Sequence, residues 1–214
     1  IIAGIVAIIT TAYTIYCYLH LPVKDFRPYK EGANITEGMS IPEGAPEAVY
    51  KITWVIEENG KEVIYETDKD YPKTTGKYIS HKMVEVSKGY EPPIHDFTIE
   101  KGDQNLTEQM LNEEKMIFVV AYNLDKSHEQ GWSHIKKQTD EALKKGYKVI
   151  GLSASTKTED IENVKSQFGL NFDFYFCDET ALKTVIRSNP GLVKLKKGTV
   201  LQKLHYNDAN DLEL

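Results

Sequence analysis

The chain has 214 residues, with 26 basic and 32 acidic side chains, a net charge of −6 and a mean hydropathy of −0.43. The negative charge gives no electrostatic reason to expect a nucleic-acid partner. A hydrophobic content of 41% is enough for a folded core, which excludes global disorder. A protein made mostly of membrane helices is excluded as well, because too much of the chain is polar.

An uncharged apolar run opens the chain. Residues 1–23 contain no Asp, Glu, Lys or Arg, and the first charged side chain is Lys24. A run of this length can cross the hydrocarbon core of a membrane as a helix. A signal peptide and a buried core helix are the alternatives, but the run has no basic n-region or cleavage site and is apolar on every face. The pattern favours a transmembrane helix at residues 1–21.

The next two segments are predicted from proline, glycine and β-rich patterns. Residues 22–48 hold four of the eight prolines, which predicts an extended, non-helical connector. Two β-rich runs follow on either side of Asn59-Gly60, the strongest short signal for a hairpin. Residues 77–87 are a further strand candidate. We therefore predict a β-hairpin and strand extension at residues 49–88.

Strands and helices alternate from residue 90 onward. Continuous apolar runs predict strands that are covered on both faces, with amphipathic helices between them. The predicted elements are strands at 116–122, 147–153 and 172–176, helices at 129–145, 156–168 and 179–187, and a terminal hairpin after Pro190. Thr156 followed by Glu159 has the pattern of a capping box for the second of these helices. This order predicts an α/β fold, in which helices flank a mixed sheet.

Three stretches of this region resemble the thioredoxin-like fold in its peroxiredoxin- and TlpA-like form. GYEPPIHDFTIEKGDQNLTEQML (89–111) resembles the opening segment, and MIFVVAYNLDKS (116–127) resembles the central strand with the active-site loop. RSNPGLVKLKKGTVLQKL (187–204) resembles the final hairpin, with Pro190 in the place of the family's cis-proline. The resemblance implies a thioredoxin-like domain at residues 89–214.

The whole chain resembles the C-terminal part of bacterial DoxX-type membrane proteins. The resemblance lies in the apolar span followed by HLPVKDFRPYKEGANI, EGAPEAVY, GYEPPIHDF and SNPGLVKLKKGTVLQKLH. In these proteins a multi-helix, MauE-like membrane unit carries an extracytoplasmic thioredoxin-like domain. The resemblance implies that residues 1–21 are the last helix of a longer membrane region. The same is expected because the sequence begins without Met and inside an apolar run.

The orientation in the membrane has two competing interpretations. The basic residues Lys24, Arg27 and Lys30 after the span favour a cytoplasmic domain by the positive-inside rule. The resemblance implies the bacterial inner membrane with the domain in the periplasm. We favour the periplasmic interpretation, because one flank of one helix is weak evidence.

Thioredoxin-type redox chemistry requires Cys-x-x-Cys at the start of the helix after the central strand, where the helix dipole lowers a thiol pKa. Alignment on that strand places Leu124 and Ser127 at the two positions, and residues 18–176 contain no cysteine. Self-contained dithiol exchange is therefore excluded, and no catalytic residue is expected. Cys177, beside Asp178, is either a buried strand-end cysteine or a lone thiol that exchanges with cysteines of the membrane part.

The resemblance also implies a groove that holds an extended substrate peptide in the family. Its expected residues in this chain are Tyr122, Asp125, Asn189 and Pro190. The histidines are dispersed, with no His-x-His or His-x-x-x-His pair, so we predict no metal site. No phosphate loop or dinucleotide fingerprint is present, and no cofactor is expected.

The function expected from these features is that of a membrane-anchored binding or accessory module without redox cysteines. One alternative is a thiol–disulfide oxidoreductase whose reactive cysteines lie in a preceding membrane region, and another is a purely structural domain. The expected partners are the lipid bilayer, through residues 1–21, and the remainder of the same membrane protein. An extended peptide or a redox membrane protein is the further partner that we expect.

Overall fold

The computed structural model describes residues 2–214, which form two compact units. The larger unit contains the chain up to Met39 and from Pro93 to Leu214, and the smaller unit is Ser40–Pro92. In chain order the elements are α1 (Ile2–Leu19), α2 (Ile35–Met39), β1 (Val49–Glu58), β2 (Lys61–Thr67), β3 (Lys77–Ser87), β4 (Glu100–Lys101), β5 (Gln104–Asn105), α3 (Thr107–Leu111), β6 (Met116–Val120), α4 (Glu129–Lys144), β7 (Lys148–Ser153), α5 (Thr158–Phe168), β8 (Asp173–Phe176), α6 (Glu179–Val185), β9 (Gly191–Lys196), β10 (Thr199–His205) and a 3-10 helix (Tyr206–Asp211).

Helix α1 carries the uncharged run at the start of the chain. It has 18 residues, and none of their side chains is buried. Its length and composition are sufficient for a helix that crosses a membrane. A helix also satisfies its backbone hydrogen bonds within itself, as a segment in hydrocarbon must.

The larger unit is built on a seven-stranded mixed sheet with the order β10-β9-β6-β7-β8-β4-β5. Strands β6, β7 and β8 are parallel, and α4 and α5 connect them. Strand β9 is antiparallel to β6 and forms a hairpin with β10. The peptide bond between Asn189 and Pro190, just before β9, is cis. This strand order, with a cis-proline ahead of the final hairpin, is the thioredoxin-like arrangement, and it confirms the predicted fold class.

The central strand β6 divides the core of this unit into two layers. Its side chains alternate between the two faces of the sheet, because the period of a strand is two residues. Met116, Phe118 and Val120 belong to one buried cluster, whereas Ile117 and Val119 belong to the other. All five are at most 1% exposed. The continuous apolar run therefore has a partner layer on each side, as the sequence predicted.

One glycine of the sheet is required by a close approach. A Cβ atom on Gly151 of β7 would lie 2.5 Å from the ring of Phe174. The ring of Phe174 thus packs directly on the backbone of β7, where no larger residue fits.

The smaller unit contains an antiparallel sheet with the order β2-β1-β3. Strands β1 and β2 meet at Asn59 and Gly60, both with positive φ, which confirms the predicted hairpin. The ring of Trp54 lies against Tyr71, with 5.0 Å between the ring centroids. Ile56 is completely buried.

The expectation of a non-helical connector is wrong at Ile35–Met39, although residues 22–34 contain no helix, and the segment from Pro22 to Met39 is packed into the larger unit rather than free of it. This segment contains α2, and its Tyr29 and Ile35 are buried. The ring of Tyr29 packs against Phe97, at 5.7 Å between centroids, and the backbone N–H of Ile35 donates to the carbonyl of Gly198. Burial of large apolar side chains outweighs the weak helix preference of a segment rich in Pro and Gly.

The predicted capping box is also wrong. Helix α5 begins at Thr158, and its N-cap is Lys157, which makes no side-chain capping bond. Thr156 therefore lies one residue before the N-cap, where its hydroxyl does not cap the helix. The acidic residues Glu159 and Asp160 of the first turn favour this start electrostatically.

If residues 22–39 belong to the core of the larger unit, Tyr29→Ala should lower the free energy of unfolding of that unit by about 3 kcal/mol. The reason is the loss of a buried aromatic ring and the cavity that it leaves. Urea denaturation followed by Trp132 fluorescence in a Trp54→Phe background measures this change. The matched control is Phe26→Ala, because Phe26 is 82% exposed, and its effect should stay within about 0.5 kcal/mol. Equal effects of the two substitutions would contradict the packing of this segment.

Candidate functional site

The candidate site lies where the parallel strands β6 and β7 end. The loops after these strands enclose a cavity of about 250 Å³. Its lining residues are Tyr122, Asn123, Leu124, Asp125, Ala154, Ser155, Thr156, Lys157, Asp160 and Glu179. Crevices at the carboxyl ends of parallel strands are the usual ligand sites of open α/β sheets. Its position therefore makes this cavity the candidate ligand site.

The loop between β6 and α4 holds the two positions that were compared with Cys-x-x-Cys. The backbone N–H of Ser127 donates to the carbonyl of Leu124 at 3.1 Å, and its hydroxyl donates to the same oxygen at 2.6 Å. The indole N–H of Trp132 donates to the Ser127 hydroxyl at 2.9 Å. Leu124 is 6% exposed and belongs to the core. Both residues thus stabilise the turn, and within residues 2–214 the Ser127 hydroxyl has no histidine partner that could activate it.

Asn189 connects the cis-proline segment to this loop. Its side-chain amide donates to the carbonyl of Asn123 at 2.8 Å. Its backbone carbonyl accepts from the backbone N–H of His128 at 2.9 Å. Its side-chain oxygen Oδ1 is buried and has no hydrogen-bond partner among residues 2–214. An unsatisfied buried acceptor costs free energy, and this oxygen is closed off from solvent.

The structure places the four expected groove residues in two pairs. Tyr122 and Asp125 line the cavity, whereas Asn189 and Pro190 are buried behind the same loop. The two pairs are joined through Asn123, the acceptor of the Asn189 amide.

The cavity also contains acidic residues that sequence reasoning missed. Asp160 and Glu179 lie in the first turns of α5 and α6, and both line the cavity with Asp125. Lys157 is the single basic residue of the lining. The ammonium of Lys183, outside the lining, pairs with Glu179 at 2.7 Å. The negative surplus of the site therefore rests on Asp125 and Asp160 against Lys157, and it favours a ligand with cationic or amide N–H groups. These acidic residues come together because the starts of α5 and α6 lie at the same edge of the sheet, which the sequence alone does not show.

A layer of histidine and tyrosine rings adjoins the start of α4. The ring of His128 stacks on Tyr206 with 4.6 Å between centroids, and His205 lies 4.1 Å from Tyr206. Burial lowers the pKa of His205 to about 4, although the charge of Asp208 opposes this shift. His205 is therefore neutral at pH 7, and its ring nitrogen Nδ1 accepts the backbone N–H of Asn207.

The same layer contacts the C-terminal end of α1. The ring nitrogen Nδ1 of His20 lies 2.6 Å from Oδ1 of Asp208, and the side-chain amide of Asn207 donates to the carbonyl of Leu19 at 2.8 Å. The 3-10 helix thus contacts the last residue of α1 through Asn207, the following His20 through Asp208, and the start of α4 through Tyr206. These contacts bring the loop end of the sheet close to the end of the apolar helix, which sequence patterns could not show.

Cys177 lies in the core, away from solvent. Its side chain is completely buried in the cluster that contains Phe97 and Phe118. Burial raises the pKa of the Cys177 thiol to about 12, and the charges of Asp178 and Glu100 act in the same direction. A thiol that is protonated at physiological pH is a poor nucleophile. Among residues 2–214, no group of three His, Cys, Asp or Glu side chains could hold a metal ion.

Comparisons with known proteins give structural neighbours only. No family model matches the chain, and no curated protein matches it. A thiol:disulfide interchange protein from Bacteroides sp. is 11% identical, with a TM-score of 0.40 over 54% of this chain and 81% of that chain. The thioredoxin domain of a thiol-disulfide oxidoreductase from Bacteroides vulgatus is 13% identical (TM-score 0.37; 50% and 81% covered). A thioredoxin from Wuchereria bancrofti is 16% identical (TM-score 0.38; 55% and 88% covered). The assignment of the fold to this chain rests on its strand order and its cis-proline.

Because Cys177 is buried and protonated, its thiol should resist modification in the folded chain. The other cysteine, Cys17, is removed by a Cys17→Ser substitution. In this background at pH 7.5, we expect iodoacetamide to alkylate Cys177 at least about 100-fold more slowly than an exposed thiol. Intact-mass spectrometry over time gives the rate. The reference thiol is Ser133→Cys in a background without Cys17 and Cys177, because Ser133 is exposed on α4. Equal rates would show that Cys177 is accessible and would restore it as an exchange candidate.

Proposed function

We propose that this chain is a membrane-anchored, extracytoplasmic thioredoxin-like module that binds a partner without redox chemistry of its own. It serves as the binding or accessory part of a DoxX-type membrane protein. The observation that carries the proposal is the loop after β6. It keeps the family's position beside a cis-proline, but Leu124 and Ser127 fill it with a core side chain and a turn-forming hydroxyl.

The chemistry of the cavity supports binding rather than exchange. Asp125, Asp160 and Glu179 surround a space of about 250 Å³, large enough for one or two side chains of a peptide. The ring of Tyr122 supplies an apolar surface, with the ammonium of Lys183 at 5.6 Å from its centroid. An extended peptide with a basic side chain fits this combination of charge and shape.

The position of α1 supports a partner at the membrane. The contacts of Leu19 and His20 with the 3-10 helix place the loop end of the sheet close to the end of the apolar helix. A membrane-embedded partner, including the remainder of the same protein, would then be within reach of the cavity.

The oxidoreductase alternative depends on cysteines outside this chain. In its simplest form Cys177 would relay electrons to them, and the burial of that thiol argues against the relay. A Cys-x-x-Cys pair in the membrane region before this chain would favour the oxidoreductase.

The peptide-binding proposal predicts a specific loss in a Tyr122→Ala variant. The probe is the S-carboxymethylated B chain of insulin, an extended peptide that contains basic side chains and cannot exchange disulfides. Its dissociation constant, from amide chemical shifts of residues 121–125, should rise about tenfold without the Tyr122 ring. The control is Tyr147→Ala, because Tyr147 is similarly half-buried but precedes β7, at the opposite end of the strand. No binding by the unmodified chain, or equal losses in both variants, would contradict this role of the cavity.

The extracytoplasmic location is tested by reporters fused after Leu214 in a bacterial host, within the complete membrane protein. Alkaline phosphatase folds only outside the cytoplasm, so its fusion should be active, and a fusion to green fluorescent protein exported in unfolded form should be dark. Equal expression of the two fusions, checked by immunoblot, is the control. The reverse pattern would place the domain in the cytoplasm, as Lys24, Arg27 and Lys30 suggest by the positive-inside rule.

A further inference from the structure

A second cavity lies directly after α1, separate from the site at the end of β6. Its volume is about 280 Å³. One part of its wall is apolar and consists of Leu21, Pro22 and Val23, the residues that follow the end of α1. The other part is charged and consists of Lys24, Asp25, Arg27, Lys30, Glu31 and Lys203.

The charged wall carries a positive surplus in a chain whose net charge is −6. Four of its side chains are basic and two are acidic, which leaves two positive charges in excess. Asp25 is already engaged, because its carboxylate accepts from Nε of Arg27 at 2.9 Å and from Nζ of Lys203 at 2.5 Å. A cavity with this surplus favours an anion.

Lys203 is the buried residue of the charged wall. It lies on β10, and its side chain is 3% exposed. Burial lowers the pKa of Lys203, although the hydrogen bond to Asp25 opposes the shift. Among residues 2–214 its ammonium makes one hydrogen bond, to Asp25, and an ammonium has three N–H donors. A second anionic acceptor at this point would further offset the cost of burying the charge.

Hydrogen bonds hold the guanidinium of Arg27 in place. Its Nε and Nη2 donate to Asp25, and its Nη1 donates to the carbonyl of Lys183 at 3.3 Å. These bonds use three of the five N–H groups of the guanidinium and fix its plane. A fixed guanidinium with free donors suits the oxygen atoms of a phosphate group.

We propose that this juxtamembrane cavity binds the phosphate group of an anionic phospholipid, with the glycerol region against Leu21, Pro22 and Val23. The source is a lipid rather than free phosphate because the apolar wall continues from the end of α1, where headgroups would lie. Phe26 and Val23, which are 82% and 76% exposed, extend the apolar surface next to Lys24. The inference rests on the proposed membrane anchoring of α1.

The test uses the full 214-residue chain, labelled with ¹⁵N, in dodecyl maltoside micelles, which contain no phosphate. Short-chain phosphatidylglycerol should shift the backbone amide signals of Lys203 and Glu31 saturably. Short-chain phosphatidylcholine, which has a phosphate but no net charge, should bind at least tenfold more weakly. Inorganic phosphate should also bind at least tenfold more weakly, because it has nothing to place on the apolar wall.

Removing two exposed lysines of the wall should weaken the binding without disturbing the fold. Lys24→Gln combined with Lys30→Gln should raise the apparent dissociation constant for phosphatidylglycerol about tenfold, given the usual contribution of a basic side chain near a headgroup. The matched control is Lys137→Gln combined with Lys144→Gln, two exposed lysines of α4 with the same change in charge. The control should leave the dissociation constant within about twofold.

Several outcomes would overturn the proposal. Equal affinity for phosphatidylglycerol and phosphatidylcholine, or shifts that do not saturate, would remove the anion site. An equal loss in the control variant would show that the attraction is diffuse. Inorganic phosphate that binds as tightly as the lipid would make free phosphate the ligand.

A second measurement on the same sample separates this inference from the proposed anchoring. A water-soluble paramagnetic agent should leave the amides of Ile2–Leu19 protected if α1 lies in the micelle. Protected amides without lipid selectivity would overturn the phosphate site alone. Unprotected amides would overturn the membrane anchoring itself.

Discussion

The burial of β6 on both faces is the constraint on which the rest of the larger unit depends. Five consecutive side chains without a polar group, at most 1% exposed, require an apolar layer above and below the sheet. The residues that alternate along β6 therefore belong to two separate clusters, with Trp132 of α4 in one and Leu182 of α6 in the other. Because β6 and β7 are adjacent parallel strands in the centre of the sheet, the loops that follow them lie together at their carboxyl ends.

The loop after β6 has a structural role in this chain. In this chain Leu124 packs into the core, and the Ser127 hydroxyl links a backbone carbonyl to the indole of Trp132. Asn189 ties the cis-proline segment to the same loop through Asn123 and His128. These bonds stabilise the loop after β6.

The two cavities differ in the sign of the charge that their lining residues carry. The cavity at the end of β6 has Asp125, Asp160 and Glu179 against one lysine, whereas the cavity after α1 has a basic surplus around Arg27 and Lys203. Burial opposes the charged form of Asp25, but hydrogen bonds from Arg27 and Lys203 outweigh it and hold its pKa well below the usual range. The ion pair therefore persists at any physiological pH. The chain thus has a mainly acidic cavity at the carboxyl end of β6 and a basic cavity directly after α1.

Local patterns in the sequence determined the elements whose signals are strong and short in range. The apolar run of α1, the hairpin at Asn59-Gly60, the strand β6 and the absence of cysteine between residues 18 and 176 could all be read directly. The burial of Tyr29, the start of α5, the acidic cavity and the contact of Asp208 with His20 could not. The burial of Tyr29, the acidic cavity and the contact of Asp208 with His20 depend on residues far apart in the chain, 188 positions in the last case. The sequence by itself thus determined the class of fold and the absence of cysteine from the loop after β6, because periodicity and residue type are local. Only the tertiary structure decided which charges and rings meet, because packing brings together residues that no local pattern connects.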